Sequence, residues 1–158
     1  MRASLRTFEG GPPLDEKELR LFERTQGLAL PDSYRAFLLA TNGGRPERDL
    51  FSLDGLTGNP FGRIHLFFGL KDPVASCNLD WNLAVFRGRI PADLLPIATT
   101  EGADKICLSV SEDRSGAVFY WDGHAREGER TLYFLARDFS SFISTLHADE
   151  LSPRAPEA

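Results

Sequence analysis

Two cysteines, three histidines and one methionine are the only soft metal ligands in this 158-residue chain. Cys77 and Cys107 form no CxxC pair, and His65, His124 and His147 lack the close spacing of a zinc site. No metal and no cofactor is expected. A disulfide framework is not needed either, because a chain of this length buries roughly two-thirds of its unfolded surface on its own. The two cysteines sit in apolar stretches, either bridged or as two buried free thiols. The second reading suits a cytosolic protein. Also missing are a GxSxG elbow, a GxxxxGK[ST] phosphate loop and an HExxH helix. A Cys107–histidine dyad is outweighed by a core role for a strand cysteine. The chain is therefore expected not to be an enzyme. No apolar run approaches the ~20 residues of a membrane span. The stretch from Met1 to Glu9 lacks the apolar segment of a signal peptide, so the expected location is cytoplasmic.

A basic excess is lacking too. The formal charge is −5, and its distribution is uneven. Residues 1–100 carry twelve basic and twelve acidic side chains, whereas residues 101–158 carry six basic against eleven acidic. Such a chain is a poor nucleic-acid binder, because phosphate affinity comes from basic clusters. Complementary charge still favours a basic protein partner.

What is present is ordinary for one globular domain: 42% hydrophobic and 26% charged residues, which fits burial without extreme solubility or disorder. Asp15 and Glu18 have the spacing of a capping box, with Leu14 and Leu19 as its hydrophobic staple, and Gly27 ends that helix. A second helix opens at Pro31, read as its first position, with Asp32 in the first turn. Tyr34, Phe37 and Leu38 share its inner face, and Asn42-Gly43-Gly44 closes it. Asp72-Pro73 predicts a third helix over 73–87. Asp138 predicts the cap of a last one, with Phe139, Phe142, Ile143 and Leu146 on its inner face.

Between the helices lie β-rich runs. They fall at 50–53, 63–68, 94–98, 105–110, 117–121 and 131–135, and from 94 onward short turns separate them, which indicates an antiparallel meander. Pro96 argues for an edge or a strand start. Alternation over 105–110 predicts Ile106, Leu108 and Val110 on the core face, with Lys105 and Ser109 on the other. The fold class is α+β, with helices packed on a mainly antiparallel or mixed sheet. Residues 1–13 read as an N-terminal segment, 14–147 as the domain and 148–158 as a flexible tail.

The stretch Leu30-Pro31-Asp32-Ser33-Tyr34-Arg35-Ala36-Phe37-Leu38-Leu39-Ala40-Thr41-Asn42-Gly43-Gly44 resembles the leading motif of the SMI1/KNR4 family of the SUKH superfamily. Further pieces follow in that family's order. They are Phe68-Gly69-Leu70, then Ile90-Pro91 to Leu94-Leu95-Pro96-Ile97-Ala98, then Ile106-Cys107-Leu108, then Gly116 to Trp121, and last Leu135 to Ile143. One departure stands at the central turn, where Glu101-Gly102-Ala103-Asp104 keeps the acid but only one glycine. The resemblance implies a single SMI1/KNR4-like domain. It further implies, for bacterial members, an immunity protein that binds and neutralises a cognate polymorphic toxin, often a nuclease. Fungal relatives act in cell-wall and stress regulation. An uncharacterised small-ligand protein or enzyme is the other alternative. The family has no shared catalytic motif, so the resemblance carries over no active-site residue.

Candidate contact residues come from the acids on turns and the two tryptophans: Asp54, Asp80, Trp81, Glu101, Asp104, Glu112, Asp113, Trp121 and Asp122. Together they would form an acidic patch that imitates phosphate and meets a basic toxin surface, because aromatics flanked by charge are what interface hot spots use. A core role for both tryptophans is the competing reading.

Overall fold

In a computed structural model, residues 4–53, 61–111 and 116–148 are described. Helix α1 (Glu16–Gln26) starts on the expected capping box. The Asp15 carboxylate accepts from the Glu18 amide at 2.9 Å, and the Glu18 carboxylate accepts from the Asp15 amide at 3.1 Å. Gly27, at φ 68°, ends it in the left-handed conformation. Helix α2 (Asp32–Thr41) begins one residue later than the sequence suggested. Pro31 precedes its first turn, and its carbonyl accepts from the Tyr34 and Arg35 amides at 3.1 and 2.9 Å.

Strands β1 (Thr7–Phe8) and β2 (Arg45–Pro46) pair as a small antiparallel ribbon. The main sheet contains β3 (Leu50–Ser52), β4 (Phe61–Phe67), β5 (Leu94–Thr100), β6 (Lys105–Ser109), β7 (Val118–Trp121) and β8 (Leu132–Ala136). Their spatial order follows the chain, and every neighbouring pair is antiparallel. From β5 to β8 this is the meander that short connections between consecutive strands imply, whereas β4 and β5 are joined by a longer segment. Pro96 lies inside it rather than at an edge, since β5 pairs with β4 on one side and β6 on the other. The register of β5 against β6 shifts between Pro96 and Ala98. A local irregularity of this kind admits a residue with no N–H to a central strand.

The predicted helix over 73–87 is shorter and starts later. A 3₁₀ turn at Ala75–Cys77 precedes α3 (Leu79–Val85). Asn78 accounts for the difference. Its side-chain oxygen accepts from the Asp72 amide at 2.8 Å, while its NH₂ donates to the Asp72, Val74 and Ala75 carbonyls. Asp72 closes a small turn onto Val74 instead of capping a helix. The last helix, α4 (Phe139–Thr145), is capped by Asp138 as expected, with the Ser141 amide 2.7 Å from its carboxylate.

Helices α1, α2 and α4 cover one face of the sheet with a core that includes Leu19, Phe22, Tyr34, Phe37, Leu38, Phe139 and Phe142. The Phe139 ring lies 5.1 Å from Tyr34 and 5.0 Å from Phe37, tying α4 to α2. The second face has its own smaller core of Ile90, Leu94, Cys107, Ala117, Phe119 and Trp121, with Phe86 and Leu132 packed against it. The chain between α3 and β5 folds over this face. For that reason Lys105 and Ser109, on the face opposite Ile106 and Leu108 as alternation predicts, are both buried.

Candidate partner-binding site

The β5–β6 turn departs from a glycine-rich pattern and still closes. The Ala103 amide donates to the Thr100 carbonyl at 3.1 Å, and the Thr100 amide to the Asp104 carbonyl at 2.9 Å. The Asp104 amide reaches the Thr100 hydroxyl at 3.1 Å. Ala103 takes the left-handed position itself, at φ 68°.

This turn delivers the Asp104 carboxylate to the neighbouring β7–β8 connection. The Tyr120 hydroxyl donates to Oδ2, and the Gly123 amide donates to Oδ1 at 2.8 Å. His124 Nδ1 lies 2.9 Å from the same Oδ1. Burial, with the Asp104 charge added, pushes the Tyr120 hydroxyl far above its ordinary range, so it stays protonated as the donor. Asp122 fixes its own turn by accepting from the His124 amide at 2.9 Å.

Asp104, Asp122 and His124 bring three potential ligand atoms within 4.8 Å of one another. The chemistry of the set suits turn-locking better than cation binding. Asp104 Oδ1 already accepts a main-chain N–H and faces the imidazole, and Asp122 Oδ1 is taken by the His124 amide. The set contains no thiol. Cys107 is fully buried on the second face of the sheet, and burial holds its thiol well above the usual range.

A cavity of about 430 Å³ opens beside Asp104, between Leu50, Phe61, Arg63, Glu101 and Tyr120. Arg63 sits between two acids, 2.9 Å from Asp49 and 3.6 Å from Glu101, and so offsets part of the negative charge at this end. Sequence reasoning missed Arg63, Tyr120 and His124 as members of the cluster. A strand arginine or tyrosine has no local signal for which turn it will meet.

The nine sequence-derived contact residues divide. Asp54, Glu112 and Asp113 lie outside the described residues. Glu101, Asp104 and Asp122 gather at the β5–β6 and β7–β8 turns, with Glu101 exposed, Asp122 half-buried and Asp104 buried. Asp80 and Trp81 are exposed on α3, Trp81 at 39%. Trp121 is buried at 5%, with Phe86 against its edge at 5.7 Å and the Arg89 guanidinium over its ring at 5.2 Å. Lys105 lies below the same ring cluster. Its Nζ donates to the Ala103 carbonyl at 2.6 Å and the Thr99 hydroxyl at 3.2 Å, and it sits 4.8 Å from the Phe86 centroid. Burial lowers its pKa.

The sequence profile of the SMI1 / KNR4 family (SUKH-1) matches residues 13–145. The chain belongs to the SMI1/KNR4 family. The matched span runs from just before the capping box of α1 to the last residue of α4, so the Asp104 cluster, the smaller core and all of the larger core but Leu5 and Leu146 of this SMI1/KNR4 protein lie within it. A curated relative is the SPbeta prophage-derived uncharacterized protein YokK of Bacillus subtilis (strain 168). It is 22% identical over 145 residues, which is 82% of this chain and 73% of the relative. Among the described residues no helix is long and apolar enough to cross a membrane.

Proposed function

We propose that this SMI1/KNR4 protein is a non-catalytic binding module of the cytoplasm, an immunity protein that neutralises a cognate bacterial toxin by direct contact. Membership of the family across residues 13–145 carries the reading, because that family includes immunity proteins. The use of the Asp104 carboxylate as acceptor for the Tyr120 hydroxyl and the Gly123 amide is in keeping with it, since those bonds give this acid a turn-holding role.

In this reading the contacts come from exposed Asp80, Trp81 and Glu101, from half-buried Asp122, and from Asp54, Glu112 and Asp113. Asp104 and Trp121 act by holding the turns and α3 in place. The partner is a protein with a basic surface, such as a nuclease toxin that grips phosphate.

Co-expression with a toxin encoded beside the gene is the test. Rescue of growth and a stable complex on size exclusion are expected, with loss of both in the D80K/E101K variant. Absence of rescue and complex for every adjacent toxin overturns the reading.

A further inference from the structure

The acidic chain carries a basic face that the acidic patch does not explain. Lys17, Arg20, Leu21 and Arg24 follow one another at helical three- and four-residue spacing along the outer side of α1, and all four are exposed. The acids of α1 are occupied elsewhere. Glu16 and Glu23 hold Arg35, Glu23 also accepts the Leu30 amide, and Glu18 serves the Asp15 cap and Lys71. Among the described residues, Lys17, Arg20 and Arg24 have no ion-pair partner within 4 Å. The same is true of Arg87, which is exposed between α3 and β5. Leu21, in the middle of this stripe, is 58% exposed.

Two hollows meet along this face. A shallow one follows the stripe over Lys17, Arg20, Leu21 and Arg24 as far as Leu28. A groove of about 620 Å³ continues from Leu28 between Leu83, Phe86, Leu94 and Val110, with Arg87 and Arg89 at its wall. Asp93 is the acid in the lining of the groove, and Glu23, tied to Arg35, is that of the hollow. Cationic walls around an apolar floor are complementary to a chain that is both acidic and apolar. They suit a nucleic acid poorly, because a polyphosphate gains nothing from the floor and is repelled by the net charge of −5.

We infer that this face docks an acidic, amphipathic segment of a partner protein. Its carboxylates meet Lys17, Arg20, Arg24 and Arg87, and its apolar side chains enter the groove past Leu28. The surface is separate from the acidic turns, and the inference stands whether or not those turns bind a toxin.

The full chain can be titrated against a short fluorescent peptide rich in glutamate and leucine. A lysine–leucine peptide of the same length and a short DNA duplex serve as comparators. Saturable binding of the acidic peptide is expected, weakening as salt rises. The K17E/R20E/R24E variant should bind roughly tenfold or more weakly at low salt, since three attractive charges become repulsive. If that variant melts early, R87E on the groove wall provides the same reading. No binding of the acidic peptide, preference for the DNA or the basic peptide, or affinity unchanged by charge reversal in a folded variant would overturn the inference.

Discussion

Asn42 and Leu70 are bonded to each other twice, the Asn42 amide nitrogen donating to the Leu70 carbonyl and its oxygen accepting from the Leu70 amide, both at 2.8 Å. A third bond runs from the same nitrogen to the Pro12 carbonyl at 2.7 Å, and the Asn42 carbonyl accepts from the Gly11 amide at 3.0 Å. One buried side chain thus stands in for a strand. It joins the end of α2 to the N-terminal segment and to the chain leaving β4. Asn42→Ala strips the Leu70 amide and carbonyl and the Pro12 carbonyl of their partner. Each buried group left without one costs roughly 1–3 kcal/mol. Asn42→Asp keeps the shape but turns an acceptor toward two carbonyls, so it should be at least as damaging as alanine in urea denaturation. A near-native midpoint for the aspartate variant would refute this role.

Two buried tyrosines should respond in opposite ways to loss of a hydroxyl. Tyr34 is fully buried, and its hydroxyl has no hydrogen-bond partner among the described residues. Tyr34→Phe removes an unsatisfied polar group and should leave stability unchanged or raise it by up to about 1 kcal/mol. The Tyr120 hydroxyl donates to the Asp104 carboxylate, and Tyr120→Phe should cost roughly 1.5–3 kcal/mol, the range for bonds to charged groups. Thermal melts of the two variants side by side check the contrast.

Phe37 contacts the rings of Phe67 at 4.9 Å and Phe139 at 5.0 Å, at the point where α2, α4 and the sheet converge. Phe37→Ala should cost roughly 3–5 kcal/mol, as truncation of a buried aromatic does. Calorimetry showing an unshifted melt would contradict that core role.

Acid should weaken the fold through two carboxylates. The Ser141 amide holds the Asp138 carboxyl below its ordinary range. Burial pushes Glu23 upward, but the Arg35 guanidinium and the Leu30 amide outweigh it, and its net shift is also downward. Groups with a depressed folded pKa stabilise above their unfolded value, near 4, and lose that contribution as the pH falls through the folded value. The melting temperature should therefore drop between about pH 5 and pH 2. Asp138→Ala should flatten part of the drop while lowering stability at neutral pH, by about 1 kcal/mol for the lost helix cap. A pH profile identical to that of the unmodified chain would exclude Asp138 as a source.

Replacing acids on exposed turns separates contact from support. Glu101 is exposed and its pairing with Arg63 is loose at 3.6 Å, so Glu101→Lys should change stability little while weakening any basic partner. Asp104→Ala should instead unfold the chain early, because the Gly123 amide and Tyr120 hydroxyl lose their acceptor. Equal stability of the two variants would show that the buried carboxylate does not hold these turns.

Local chemistry was legible in the residues themselves. The capping box of Asp15 and Glu18, the cap at Asp138 and the helix stop at Asn42-Gly43-Gly44 each depend on groups a few positions apart, and each forms as read. From β5 to β8 the meander follows from short connections between strands, and the family from motifs kept in order. Tertiary structure decided what those elements meet. The Asn42 amide finds Leu70, 28 residues on, only when α2 packs beside the end of β4. Lys105 and Trp121 are buried because the chain after α3 folds over the second face of the sheet, which alternation within one strand cannot reveal. Asp104 becomes a turn lock only when β7 carries Tyr120 alongside it. Spacing along the chain determines helices, strands and caps because those bonds are local, while burial and charge pairing depend on which surfaces share one core.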